Sequence, residues 1–204
     1  MNETNNNSLP QREGWGGSSF PLREGRGGSE GCVGSLLCIL GPSGAGKDTA
    51  AQILSQLTNI PVLVSFTTCP IRPDQKQGRE HHFVPSFNAP KDILLAYTKY
   101  GGYEYWTTTT QINSKAIYVI DEEGLRTLRE NHPEIRVTTI YITASRIVRR
   151  QRGVTVDRMQ RDDLREQFPL DFYDYRIYNN KGKEELMRKL IYIAENLKDN
   201  DKVK

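Results

Sequence analysis

Cysteine is scarce in this chain, and the three present, Cys32, Cys38 and Cys69, show no spacing that suits a metal site or a redox pair. Cys38 falls inside an apolar run, where a thiol behaves as a small hydrophobe, so the usage fits a reducing compartment. No apolar run approaches the length of a membrane span, and the N-terminal residues carry no hydrophobic centre of a secretory signal. An excess of one charge is missing too. The 28 basic and 25 acidic residues leave a formal net charge of +3, too mild for a nucleic-acid surface, and arginines gather around 146–165 instead of forming a spread stripe. No internal repeat is visible. These absences point to a soluble, cytoplasmic protein that binds neither nucleic acid nor membrane and carries a local anion site; a monomer or homodimer is expected.

With 36% hydrophobic and 26% charged residues, 204 residues fit one α/β domain with a sizeable core. Residues 1–30 are rich in Asn, Gly, Ser, Arg and Glu and cannot bury enough apolar surface to offset the entropy of ordering, so they are expected to be a disordered tail. Glu3, Glu13, Glu24 and Glu30 argue against a transit peptide, which is poor in acids. Residues 31–204 would form the domain.

The strongest local signal is Gly41-Pro42-Ser43-Gly44-Ala45-Gly46-Lys47-Asp48-Thr49, directly after the apolar stretch Leu36–Leu40. Glycines at 41, 44 and 46 let backbone N–H groups curl around phosphates, and the helix that follows points its positive end at the same anion. Lys47 is placed to reach the β- and γ-phosphates of ATP or GTP. The usual hydroxyl after the lysine is Asp48 here, with Thr49 one residue later. A rearranged Mg2+ site is therefore expected, with Asp48 and Thr49 as its ligands.

Strand and helix patterns alternate from Val33 onward. The expected elements are a strand ending at Leu40, helix Thr49–Leu57, strand Pro61–Phe66, strand Ala116–Ile120, helix Glu122–Glu130, strand Val137–Thr143, a helix near Ser145–Arg152, helix Asp157–Phe168, strand Tyr175–Tyr178 and helix Lys183–Leu197. Such alternation implies a parallel sheet with helices on both faces and ligands at the carboxyl ends of its strands. Residues 67–115, with Pro70, Pro73, Pro85 and Pro90 and the aromatics Tyr97, Tyr100, Tyr103, Tyr105 and Trp106, break the pattern and read as an inserted, partly β substrate lobe. Tyr97, Tyr100 and Tyr103 are expected to be core or strand-edge aromatics.

Three segments together resemble the guanylate kinase family: the phosphate loop, Ser65-Phe66-Thr67-Thr68-Cys69-Pro70-Ile71-Arg72-Pro73 leading through Gly78 to Glu80-His81-His82-Phe83-Val84, and Gly102-Tyr103-Glu104-Tyr105-Trp106-Thr107. The resemblance implies a P-loop NTPase fold with an acceptor-binding lobe and a lid at 150–166, and transfer of the γ-phosphoryl of ATP, with Mg2+, to a nucleoside monophosphate, GMP or dGMP first. It also implies roles by position. Arg72 and Tyr105 would bind the acceptor phosphate, while Ser65 and Thr107 would contact the base. Asp121 would act on base or metal, and Asn179, in the turn Tyr178-Asn179-Asn180, would lie by the adenine of ATP. His81 stands at the acceptor-side tyrosine. Of the lid arginines Arg149, Arg150, Arg152, Arg158, Arg161 and Arg165, the first and Arg161 are taken as catalytic beside Lys47 and Arg72. Asp157, Asp162 and Asp163 are alternative partners for these arginines.

The departures bear on the acceptor. The family's first arginine is Cys69, its first aspartate is Val119, and an ungapped count back from Thr107 puts Ala96 where the family has the glutamate that reads guanine. Without it, guanine's two donors lose their acceptor, a cost of roughly 1–3 kcal/mol. Glu104 is a substitute if the loop is re-registered. Two alternatives follow: a related kinase acting on a sugar phosphate such as ribose 1,5-bisphosphate or on a deoxynucleotide, and a non-catalytic interaction module. Against the last stands an intact phosphate loop.

Overall fold

Apolar residues on both faces of β1 (Ser35–Leu40) set the architecture. The computed structural model describes residues 34–202 except 74, 80, 113 and 166, so the tail expected at 1–30 lies outside the described residues. In a strand, alternate side chains point to opposite faces. Leu37 and Ile39 join one buried cluster, while Leu36, Cys38 and Leu40 join another. A strand buried on both faces belongs in the middle of a parallel sheet, and β1 has parallel neighbours on each side.

That sheet runs in the order β2 (Val62–Leu63), β7 (Lys115–Val119), β1, β8 (Arg136–Thr143), β9 (Tyr175–Tyr178), with parallel pairing throughout. Helices α1 (Lys47–Thr58) and α5 (Lys183–Lys202) cover one face, through Ala50, Ala51, Ile53 and Leu54 from α1 and Leu186, Leu190, Ile193 and Ala194 from α5. On the other face lie α2 (Glu122–Asn131), through Leu125 and Leu128, and the lobe residues Leu95 and Ala96. This is the α/β fold that the alternation implies.

The expected strand Pro61–Phe66 is in fact two. Val62 and Leu63 pair with β7, whereas β3 (Ser65–Thr67) turns away into a second, four-stranded sheet with β4 (His81–Phe83), β6 (Tyr103–Thr108) and β5 (Leu94–Tyr100), in the order β4-β3-β6-β5. Unbroken β-branched and aromatic sequence conceals the change of sheet. The expected helix Asp157–Phe168 is also shorter. Helix α3 (Arg146–Gln151) is followed by α4 (Val156–Asp163), which stops five residues early. Beyond it Phe168 stacks on Phe172, and Arg129 lies over the Phe172 ring, so tertiary packing of the aromatics overrides the helical pattern.

Candidate active site

The phosphate loop leaves β1 with Gly41 at φ 133°, and a Cβ there would lie 1.9 Å from the Ile142 carbonyl oxygen of β8, so only glycine lets the chain pass so close. Gly46, at φ 101°, caps α1, and a Cβ on it would meet the Asn179 amide nitrogen at 2.6 Å. Asn179 is buried under the loop and donates to the Ala45 carbonyl at 2.8 Å. Its position comes from β9, because its own amide donates to the Thr143 carbonyl at 2.7 Å. Lys47 Nζ folds back to donate to the Gly41 carbonyl at 2.8 Å and the Pro42 carbonyl at 3.2 Å. Burial lowers the Lys47 pKa, with Asp48 partly opposing that effect. A phosphate beside Nζ would supply the missing negative charge.

A cavity of about 450 Å³ opens beside the loop. Lys47 and Asp48 line its loop side, Asp121 lines the strand-end side, and Ser65, Arg72, His81 and Tyr105 line the lobe side. The Arg72 turn is fixed by Gln75, whose Oε1 accepts from Arg72 N at 3.1 Å and Nε at 3.2 Å. Ser65 Oγ and His81 Nδ1 share a hydrogen bond of 2.8 Å, and His81 meets Tyr105 edge-on at 5.5 Å between ring centroids. His82, on the opposite face of β4, packs against Phe66 instead. Burial, reinforced by a hydrogen bond with Cys69, raises the Tyr105 pKa well above the ordinary phenol value, so Tyr105 stays a neutral donor at working pH. Asp121 does two things at once: Oδ1 caps α2 by accepting the Gly124 amide at 2.8 Å, while the same carboxylate borders the cavity and accepts from Thr98 Oγ1 at 3.3 Å.

The structure does not bring every expected residue to this cavity. Thr107 is fully buried and donates to the Tyr118 hydroxyl at 3.0 Å, so Tyr118 forms the wall in its place. Thr49 is exposed on α1 and is not among the lining residues, which include Asp48. Arg161 is exposed and lies over the Tyr100 ring at 5.5 Å, while its neighbours Arg158 and Arg165 reach the cavity. Arg149 is buried against the loop, with Nε donating to the Ser43 carbonyl at 2.7 Å and its guanidinium paired with Asp162. Ala96 does line the cavity, and Glu104 is turned away to accept from the Tyr97 hydroxyl at 2.8 Å.

Tyr97, Tyr100 and Tyr118 also border the cavity, which the aromatic pattern alone does not reveal. A sequence signal exists for Asp162. It falls three residues after buried Met159, on the inward stripe of α4, where an acid has no place without a cationic partner.

Mg2+ is usually held by one or two carboxylates together with substrate phosphates, with water completing its shell. Asp48 and Asp121 border one cavity beside Lys47, so the donor set suits that ion. Among the described residues no cluster of three or more His, Cys, Asp or Glu side chains forms a cage for a metal held by protein alone.

Comparison with known proteins agrees with this geometry. The sequence profile of the family described as guanylate kinase matches residues 34–193. The chain is 30% identical over 166 residues to a guanylate kinase of Gloeobacter violaceus, covering 72% of this chain and 80% of that protein. Against a guanylate kinase of Chlamydia felis it is 30% identical over 187 residues, covering 80% and 90% respectively. A crystal structure of guanylate kinase from Anaplasma phagocytophilum superposes with a TM-score of 0.58 at 24% identity, over 81% of this chain and 86% of that one, which supports the fold. With a phosphate loop at the carboxyl end of the central strand, a second sheet lining the same cavity and a profile match over most of its length, the chain belongs to the guanylate kinase family of P-loop nucleoside monophosphate kinases.

Proposed function

We propose that this protein transfers the γ-phosphoryl group of ATP, with Mg2+, to a nucleoside monophosphate, with GMP and dGMP the first acceptors to test. One observation carries the reading: Lys47 and Asp48 of the donor side and Arg72, His81 and Tyr105 of the lobe side face a single cavity. Phosphoryl transfer asks little covalent chemistry of the protein, so positioning and charge stabilisation dominate. Loop amides and Lys47 would hold the donor phosphates. Bound Mg2+, held at Asp48 and Asp121, would neutralise charge on the phosphates. Arg72 would grip the acceptor phosphate with its planar fork, Tyr105 would donate to the same phosphate, and Arg158 and Arg165 would offset charge that develops on the moving group.

A second reading of the acceptor has its own support. The lobe strands that line the cavity, with Ser65, His81, Ala96 and Tyr105, contribute hydroxyls and an imidazole, and the carboxylates of the lining are Asp48 and Asp121 outside the lobe. Such a wall suits an acceptor without guanine's N1–H and amine, such as another monophosphate or a sugar bisphosphate.

A coupled ATP-consumption assay across nucleoside and deoxynucleoside monophosphates and ribose 1,5-bisphosphate tests both readings. Lys47→Ala should abolish transfer in a protein that keeps its circular dichroism and melting cooperativity. Most of the activity surviving in that folded variant would refute the mechanism.

A further inference from the structure

Asp162 is a buried carboxylate, 3% exposed, with no part in the chemistry above. It sits at the end of α4, 119 residues from the phosphate loop in sequence, yet it is bonded to that loop. Its Oδ2 accepts the Ser43 amide at 2.9 Å, and its Oδ1 accepts the Ser43 hydroxyl at 3.1 Å and the Tyr100 hydroxyl at 3.3 Å. The Arg149 guanidinium pairs with Oδ2 while its Nε donates to the Ser43 carbonyl. Arg165 stands 4.0 Å from Oδ1.

A main-chain N–H of the phosphate loop, an adjacent hydroxyl and an arginine fork are the donors that recognise a phosphate oxygen. Here one carboxylate engages all three. Two anions cannot share those donors, because placing a phosphate against Asp162 would bring like charges into contact in a half-buried site. Arg149, while neutralised by Asp162, has little charge left for a transferring phosphoryl group.

We propose that Asp162 is a stand-in for the donor's terminal phosphate: it holds the Ser43 end of the loop when no nucleoside triphosphate is bound, and the γ-phosphate displaces it and takes over Arg149. The inference rests on the reading of ATP as donor. It makes Asp162 a determinant of donor selectivity, since a triphosphate must compete with it and a diphosphate need not.

The test is donor binding without acceptor, by titration calorimetry of the full chain with MgATP and MgADP. Asp162→Asn should tighten ATP by roughly tenfold or more, the equivalent of one charged hydrogen bond, and change ADP by less than about threefold. Tyr100→Phe removes one of Asp162's donors without touching the ion pair, so it should shift the ATP-to-ADP affinity ratio in the same direction by a smaller factor. This second variant carries the test if Asp162→Asn fails to fold. Weaker ATP binding, or an equal change for both nucleotides, would overturn the inference and leave Asp162 as a brace for Arg149, with the kinase reading intact. Failure of the unmodified protein to bind ATP at all would overturn the inference and the donor reading together.

Discussion

Ala96→Glu should convert the acceptor site toward guanine. Ala96 pairs with Thr107 across β5 and β6, is 1% exposed, and borders the cavity beside Ser65, His81 and Tyr118. Ser65 Oγ and His81 Nδ1 already share a hydrogen bond, so the donors a carboxylate there would look for are those of the base. Guanine offers N1–H and an exocyclic amine, and a hydrogen bond to a charged acceptor contributes about 1.5–3 kcal/mol. Adenine and the pyrimidines lack that donor pair and would leave the new charge desolvated and unpaired. One such bond at the low end is worth about tenfold and two about a hundredfold, at 1.4 kcal/mol per decade. The ratio of kcat/KM for GMP to that for AMP should therefore rise about ten- to a hundredfold. Both ratios are measured by the coupled assay, with thermal melts establishing that the variant folds. A ratio within about threefold of the original in a folded variant would refute the register that puts residue 96 at the base. So would an unmodified protein that already prefers GMP by a wide margin, because another residue would then read the base.

Gly41→Ala should destabilise the fold by about 3 kcal/mol or more, since the neighbour of the added Cβ is strand backbone that cannot rotate away and the φ is one that L side chains rarely adopt; a shift in urea midpoint worth under about 1 kcal/mol would show that the loop has room. At alkaline pH, burial raises the Cys38 thiol from 9.0 to about 12, so the folded protein keeps a proton that the unfolded chain releases above 9.0. Stability is then lost as pH climbs from about 9 towards 12. The stability difference between the unmodified protein and Cys38→Ala, from urea melts at pH 8 to 10.5, should shrink over that range, and a flat difference would contradict the burial argument.

The main sheet was legible because buried parallel strands write continuous apolar runs, and glycines at 41 and 46 have a single structural use beside a lysine at 47. The boundary of β9 at Tyr175–Tyr178 could also be read to the residue, although this edge strand buries only Ile177. Legibility failed where chemistry depends on which way a side chain turns. Tyr100 and Tyr105 look alike as sequence, yet one meets α4 through Asp162 and the other meets His81. Thr107 was expected at the cavity and is spent on Tyr118, because local spacing does not reveal what stands between a side chain and the open space. The arginine cluster shows the same limit. Helical spacing puts Arg158, Arg161 and Arg165 on one side of a helix, but α4 ends at Asp163; Arg165 lies beyond it, over the Tyr100 ring at 4.4 Å, and reaches the cavity, whereas Arg161 stays exposed over the same ring at 5.5 Å.

The change of sheet at Val64 separates two inheritances. The second sheet is one continuous stretch of chain, leaving the parallel sheet after Leu63 and returning before Lys115, and its strands pair with each other rather than with the strands that carry the phosphate loop. On the proposed function, substitutions within it would remodel what is phosphorylated without altering the hydrogen-bond ladder that carries the phosphate loop. Swapping Ser65–Gln111 for the matching stretch of a relative is therefore a natural unit of exchange, and Gln111 shows where the graft must be faithful, since its side-chain amide ties the returning chain to the Val64 carbonyl at 2.8 Å.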